Sequence, residues 1–73
     1  MVFKWRNVRV IRQFHGYSVQ VFGKANIEDE NKDWHELMHY DYSGFSRDTF
    51  GRTAFFSGEA KLNAIEFAKL IAA

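Results

Sequence analysis

Apolar and polar residues alternate through the first 24 residues, on both sides of the segment Phe14-His15-Gly16-Tyr17. Alternation with a period of two is typical of strands with one buried face, and glycine between two such runs indicates a tight turn. We therefore predict an N-terminal β-hairpin in which Val10 faces Val21 and Gly16 occupies a position that tolerates a positive φ. Its core face would carry Val8, Val10, Phe14, Tyr17, Val19 and Val21.

The alternation resumes between Trp34 and Tyr42 and predicts a third strand, with Trp34, Met38 and Tyr40 on one side together with Tyr42. The following stretch, Ser43 to Arg52, contains Gly44 and Gly51 and is the least regular part of the chain. We predict a mobile loop there. A short strand is expected around Thr53 to Phe56.

The last segment has helical spacing. Ser57 offers an N-cap, Glu59 lies in the first turn, and the helix is expected to reach about Ile71. Its core stripe would consist of Ala60, Ala64, Phe67 and Ile71, with Ala68 alongside. Small alanines would let the helix lie close to the sheet. The predicted fold is α+β: a three- or four-stranded antiparallel sheet packed against one C-terminal helix, with residues 1–73 as a single small domain.

The composition is typical of a domain that folds without a disulfide bond. The chain has 73 residues, 47% of them hydrophobic and 18% aromatic, and it contains no cysteine. Large aromatic side chains help so short a chain to fill a core, and a homodimer would add stability. No apolar run has the length of a membrane span, and the first residues lack the apolar core of a signal peptide. We predict a cytoplasmic protein without a membrane partner.

Charge is distributed unevenly along the chain. The first 24 residues hold five cations and no acid, whereas acids dominate the middle third, so the net charge of +1 conceals a dipolar chain. Cations among aromatic rings on a strand are typical of surfaces that bind phosphates and bases. We predict that the basic hairpin face binds nucleic acid or an acidic protein surface. The predicted partner-binding residues are Lys4, Trp5, Arg6, Arg9, Phe22 and Lys24.

One short motif favours a different function. His35-Glu36-Leu37-Met38-His39 matches H-E-x-x-H, the zinc-binding pattern of metallopeptidases, in which two histidines one helical turn apart bind zinc and the glutamate acts as general base. The motif requires a helix. On the predicted strand, His35 and His39 would share a face but lie roughly 13 Å apart. A zinc-dependent hydrolase that uses His35, Glu36 and His39 is therefore the alternative hypothesis.

No other pattern indicates catalysis. The chain shows no serine nucleophile with a base and no glycine-rich phosphate loop. We predict a non-enzymatic binding module, a regulator or inhibitor that docks on a larger partner. Catalytic residues, metal ligands, cofactors and a small-molecule substrate are not expected.

Overall fold

The computed structural model describes residues 2–24 and 32–72. Within these residues, six antiparallel strands form one sheet in chain order, and a C-terminal helix packs against it. The elements are β1 (Phe3–Trp5), β2 (Val8–Gln13), β3 (Gly16–Lys24), β4 (Lys32–Asp41), β5 (Phe45–Asp48), β6 (Thr53–Phe55) and α1 (Ala60–Ala72). The predicted α+β class is confirmed. The predicted number of three or four strands is wrong, because β1 and β5 were not recognised.

The helix covers one face of the sheet and packs through its smallest side chains. Ala60, Ala64 and Ala68 are buried at four-residue spacing, and among the strands of the described residues α1 contacts β1 to β4 only. Four residues make about one helical turn, so these alanines form a flat stripe that brings the helix axis close to the strands. The opposing sheet residues are Val8, Val10, Val19 and Tyr40. No helix in the described part of the chain is long and apolar enough to cross a membrane.

The start and the outer edge of the helix differ from the prediction. The helix begins at Ala60 and not directly after Ser57, and the side-chain amide of Asn63 donates hydrogen bonds to the carbonyls of Ser57 and Glu59 (both 2.9 Å). Asn63 therefore ties the residues before the helix to its first turn, by bonds to carbonyl groups and not by the N–H capping expected from the Ser57 hydroxyl. Ile71, predicted to lie in the core stripe, remains 36% exposed.

The N-terminal hairpin forms with a register two residues away from the predicted one. Val10 pairs with Val19, and Gln13 pairs with Gly16, so the turn is Phe14-His15. A shift of two residues keeps every side chain on its predicted face. Phe14 is the exception: it lies in the turn and is 90% exposed.

Gly16 is required by close packing and does not have a positive φ. A Cβ atom at this position would lie 2.1 Å from the carbonyl oxygen of Tyr40 and 2.6 Å from the Cα of Asp41. Real Cβ atoms do not approach backbone atoms so closely. Only glycine lets β3 and β4 come together at this end of the sheet.

A β-bulge in β4 changes which residues share a face. Val19 pairs with Met38 but Gln20 pairs with Glu36, so Leu37 is an extra residue in the ladder. An extra residue reverses the alternation of the strand on one side of the bulge. Met38 and Tyr40 therefore lie on the helix side, as predicted, whereas Trp34 lies on the opposite face with Phe22. The prediction that Trp34 shares their side is wrong.

The predicted mobile loop contains a strand between two tight turns of the same sequence pattern. In Asp41-Tyr42-Ser43-Gly44-Phe45 and Asp48-Thr49-Phe50-Gly51-Arg52, the glycine has a positive φ (96° and 83°). In each turn the Asp Oδ1 accepts hydrogen bonds from the backbone N–H groups two and four residues later (2.9–3.1 Å). The repeated D-x-x-G pattern therefore forms the β4–β5 and β5–β6 hairpins.

Candidate functional site

The face of the sheet that α1 does not cover, which we call the open face, carries charged, polar and aromatic side chains. Strand pairing places Lys4 beside Arg9, Arg9 beside Gln20, and Gln20 beside Glu36. A second row across the sheet joins Ser18, His39, Arg47 and Thr53. Because neighbouring strands lie about 4.8 Å apart, side chains in one row are close enough to interact.

An aromatic and cationic stack lies at one end of the open face. The guanidinium carbon of Arg9 is 4.0 Å from the centroid of the Trp34 ring, and Phe22 packs against Trp34 with a centroid separation of 5.3 Å. A guanidinium group over an indole face is a favourable cation–π arrangement. The stack joins side chains from three strands, β2, β3 and β4, into one ordered surface.

A chain of hydrogen bonds links this stack to the centre of the open face. Arg9 Nε donates to Gln20 Oε1 (2.9 Å), Gln20 Nε2 donates to Ser18 Oγ (3.1 Å), and Ser18 Oγ donates to Glu36 Oε2 (2.5 Å). Ser18 is fully buried (0% exposed), so its hydroxyl needs these partners. We call this chain of Arg9, Gln20, Ser18 and Glu36 the polar relay.

A second aromatic pair lies at the other end of the open face. Phe45 and Phe55 are neighbours on β5 and β6, with ring centroids 4.4 Å apart and an interplanar angle of 35°. Phe55 is 81% exposed. A broad, shallow depression next to the pair is lined by His39, Arg47 and Thr53 among others. Exposed rings grouped beside a cation on a sheet face often mark a binding surface.

The Asp41 carboxylate, at the border of this depression, has a structural role. Hydrogen bonds from the backbone N–H of Phe45 and from the Ser43 hydroxyl (2.7 Å), together with the nearby His39, lower the pKa of Asp41. Its Oδ1 atom is already occupied by the turn that starts β5. Asp41 therefore fixes the position of Phe45 at the start of β5.

The predicted partner-binding residues are divided between the two sides of the sheet. Lys4, Arg9 and Phe22 lie on the open face, whereas Trp5 is paired with Val8 on the helix side and is 50% exposed. Arg6 lies in the β1–β2 turn with φ +52° and stacks over Trp5 at 5.6 Å. Lys24 pairs with Lys32 at the end of β3. Three acids of the middle third, Glu28, Asp29 and Glu30, lie outside the described residues.

Sequence reasoning missed the residues that connect the open face. Alternation along the hairpin puts Ser18 and Gln20 on the face opposite Val19, but nothing in the pattern indicates a hydrogen-bonded chain to Glu36. Trp34 was missed because of the bulge at Leu37. The pair of Phe45 and Phe55 was missed because the segment that contains β5 was predicted to be a loop. The repeated D-x-x-G pattern of this segment does indicate two hairpins.

The H-E-x-x-H residues lie on strand β4 and not on a helix. Because of the bulge, His35 pairs with Val21 on the helix side, while His39 pairs with Ser18 on the open face. The prediction that the two histidines share a face is therefore wrong. His35 Nε2 donates a hydrogen bond to the Gly23 carbonyl (3.0 Å). In the described part of the chain, no three His, Asp or Glu side chains are grouped closely enough to hold a metal ion.

Compared with known proteins, the chain matches no family model, no curated protein and no solved structure.

Proposed function

We propose that this protein is a non-enzymatic module that binds single-stranded nucleic acid on the open face of its sheet. The observation that carries the proposal is the stack of Arg9, Trp34 and Phe22 on a sheet face that the helix leaves uncovered. Sheets that bind single strands combine cations for the phosphates with flat groups on which bases stack. This face has both, in side chains ordered by the fold.

The dimensions of the open face agree with a short single strand. The Arg9–Trp34–Phe22 stack and the Phe45–Phe55 pair lie at opposite ends of the β4 strand, about 20 Å apart along its length. Sheet surfaces of this kind stack two or three bases. Lys4 and Arg47, both exposed, lie at the borders of the same face, where they would reach the phosphates.

The cations alone would also suit an acidic protein surface, which was the other predicted partner. The aromatic groups favour nucleic acid, because an acidic peptide would gain little from the exposed ring of Phe55, whereas a base would stack on it. The two partners therefore differ in how strongly their binding depends on the rings of the open face.

The charge dependence can be tested by fluorescence anisotropy with a labelled hexanucleotide of mixed sequence. The double variant Lys4→Glu/Arg47→Glu removes two open-face cations. We expect it to bind at least about tenfold more weakly and to lower the slope of log affinity against log salt by about 1.4, since each phosphate contact on a single strand contributes about 0.7. The matched control, Lys61→Glu/Lys69→Glu, makes the same charge change on exposed positions of α1. Equal weakening by both double variants would contradict an open-face site.

The aromatic dependence has an equally close control. Phe55 and Phe50 are exposed to the same extent (81% and 80%), but Phe55 lies on the open face and Phe50 lies in the β5–β6 turn. We expect Phe55→Ala to weaken oligonucleotide binding by about 1–3 kcal/mol and Phe50→Ala to leave it unchanged. Unaltered affinity in Phe55→Ala would contradict a stacking role of the Phe55 ring in binding.

A further inference from the structure

The polar relay fixes the orientation of one carboxylate at the centre of the open face. Arg side chains only donate hydrogen bonds, so the atom of Gln20 next to Arg9 Nε must be its oxygen, and its amide nitrogen then points to Ser18. The Ser18 hydroxyl has a single proton. Because a carboxylate only accepts hydrogen bonds, that proton is donated to Glu36 Oε2, while the Ser18 oxygen accepts from Gln20. Each hydrogen bond of the polar relay is therefore donated in the direction of Glu36.

The second carboxylate oxygen of Glu36 accepts no hydrogen bond from the described residues. A carboxylate repels phosphates, so the negative charge of Glu36 weakens the attraction that the cations on the same face exert on a phosphate. Its position explains what it can bind instead. Trp34 precedes Glu36 by two residues on the same face of β4, a distance of about 6.6 Å along the strand. A base stacked on the Arg9–Trp34 layer would bring its hydrogen-bonding edge over the Glu36 carboxylate.

We propose that Glu36 is a specificity residue that selects cytosine over thymine or uracil at this position. Its second carboxylate oxygen would accept a hydrogen bond from the exocyclic amino group of cytosine, the pairing that carboxylates form with this base. Thymine and uracil place a carbonyl oxygen at the same position of the ring, which the carboxylate repels. This inference rests on the proposed binding of single strands and names the base that the site prefers.

The relay also predicts the effect of a single substitution. In Glu36→Gln, the Ser18 hydroxyl still donates its proton to residue 36, so the new amide keeps its oxygen on Ser18 and turns its NH₂ group outward. An outward NH₂ group donates to the carbonyl of thymine and meets another donor on cytosine. Glu36→Gln should therefore reverse the preference and not merely weaken it.

The experiment measures the affinities of labelled hexameric oligo(dC) and oligo(dT) at pH 7.5 and moderate salt. For the unmodified protein we expect tighter binding of oligo(dC) by about tenfold, a typical discrimination for one base contact. Glu36→Gln should bind oligo(dT) at least as tightly as oligo(dC). Glu66→Gln makes the same change at an exposed position of α1 and should keep the original ratio.

The possible outcomes separate the two proposals. Equal affinities for the two oligomers, or an unchanged ratio in Glu36→Gln, would overturn the role of Glu36 and leave the single-strand binding proposal in place. Failure of the folded, unmodified protein to bind either oligomer would overturn the proposed function, and the base preference with it. Circular dichroism of each variant shows whether it is folded before binding is measured.

Discussion

The two faces of this sheet are built from the same strands but by different physical means. On the helix side, Val10, Val19, Ala64 and Ala68 are all completely buried, and they pack without polar contacts. Among the described residues of the open face, the only completely buried side chain is that of Ser18, which is hydrogen-bonded within the polar relay. Burial of apolar side chains on the helix side therefore stabilises the fold, whereas hydrogen bonds and stacking hold the side chains of the open face in place. A face ordered in this way keeps its rings and charges accessible.

The largest loss of stability is expected at Gly16, where both faces of the sheet depend on one close backbone contact between β3 and β4. Gly16→Ala would place a Cβ atom 2.1 Å from the Tyr40 carbonyl oxygen, and the clash can be relieved only if β3 and β4 separate. We expect the free energy of unfolding to fall by about 3 kcal/mol, the upper part of the range for overpacking. Denaturant unfolding measures this change.

The matched substitution is Gly23→Ala on the same strand, where an added Cβ atom meets nothing within 4 Å. It should change the stability far less than Gly16→Ala does. Similar losses in the two variants would mean that chain flexibility, and not close approach to β4, explains the glycine at position 16.

A smaller effect is expected from breaking the order of the open face alone. Ser18→Ala removes the hydroxyl that joins Gln20 to Glu36 and leaves both without this partner in a partly buried position. We expect a loss of about 1–2 kcal/mol in the free energy of unfolding, typical of leaving buried polar groups unpaired. Ser57→Ala, at an exposed position before α1, is the control and should be nearly neutral. If Ser18→Ala is also neutral, the polar relay does not order this face.

The smallest effect concerns the two D-x-x-G turns that carry the outer strands of the open face. The pKa of Asp41 is lowered by the hydrogen bonds described above. For Asp48, partial burial raises the pKa. Hydrogen bonds from the backbone of Arg52 and Phe50, together with the ion pair with Arg52 (2.8 Å), lower the pKa by a larger amount, so the net shift is downward.

These shifts predict a pH dependence of stability with a definite sign. Because each folded-state pKa lies below the unfolded value of about 3.9, the turns contribute fully above that pH. The contribution is lost as the pH falls through the folded-state pKa. Unfolding measured between pH 7 and pH 2 should show this loss, and Asp41→Asn/Asp48→Asn should flatten the curve. A double variant with the unmodified curve would contradict the role of the two carboxylates.

The parts of the fold that follow from local pattern were predictable, and those that depend on one inserted residue were not. Val8, Val10, Val19 and Val21 were assigned to the core side correctly, because a register shift of two residues preserves the faces of a strand. The bulge at Leu37 leaves only a weak signal in the sequence: Leu37 and Met38 are adjacent apolar residues, where strict alternation would have one polar residue. That one residue moved Trp34 to the open face and separated His35 from His39.

The candidate site was predictable to a similar degree. Lys4, Arg9 and Phe22 followed from the basic hairpin, but the groups that organise them come from β4, which lies far away in the sequence. Cross-strand contacts such as Arg9 on Trp34 depend on register, and register is what single-sequence patterns leave open. The second aromatic pair was hidden because two adjacent turns made the short strand β5 look irregular.

The binding surface is located most directly by NMR, with ¹⁵N-labelled protein titrated with a single-stranded hexanucleotide. We expect the amide signals of Arg9, Gln20 and His39, and the indole N–H of Trp34, to shift with a common saturation curve, while the signals of α1 stay in place. Shifts confined to α1, or no shifts at any concentration of the oligonucleotide, would contradict the claim that the open face is a nucleic-acid interface.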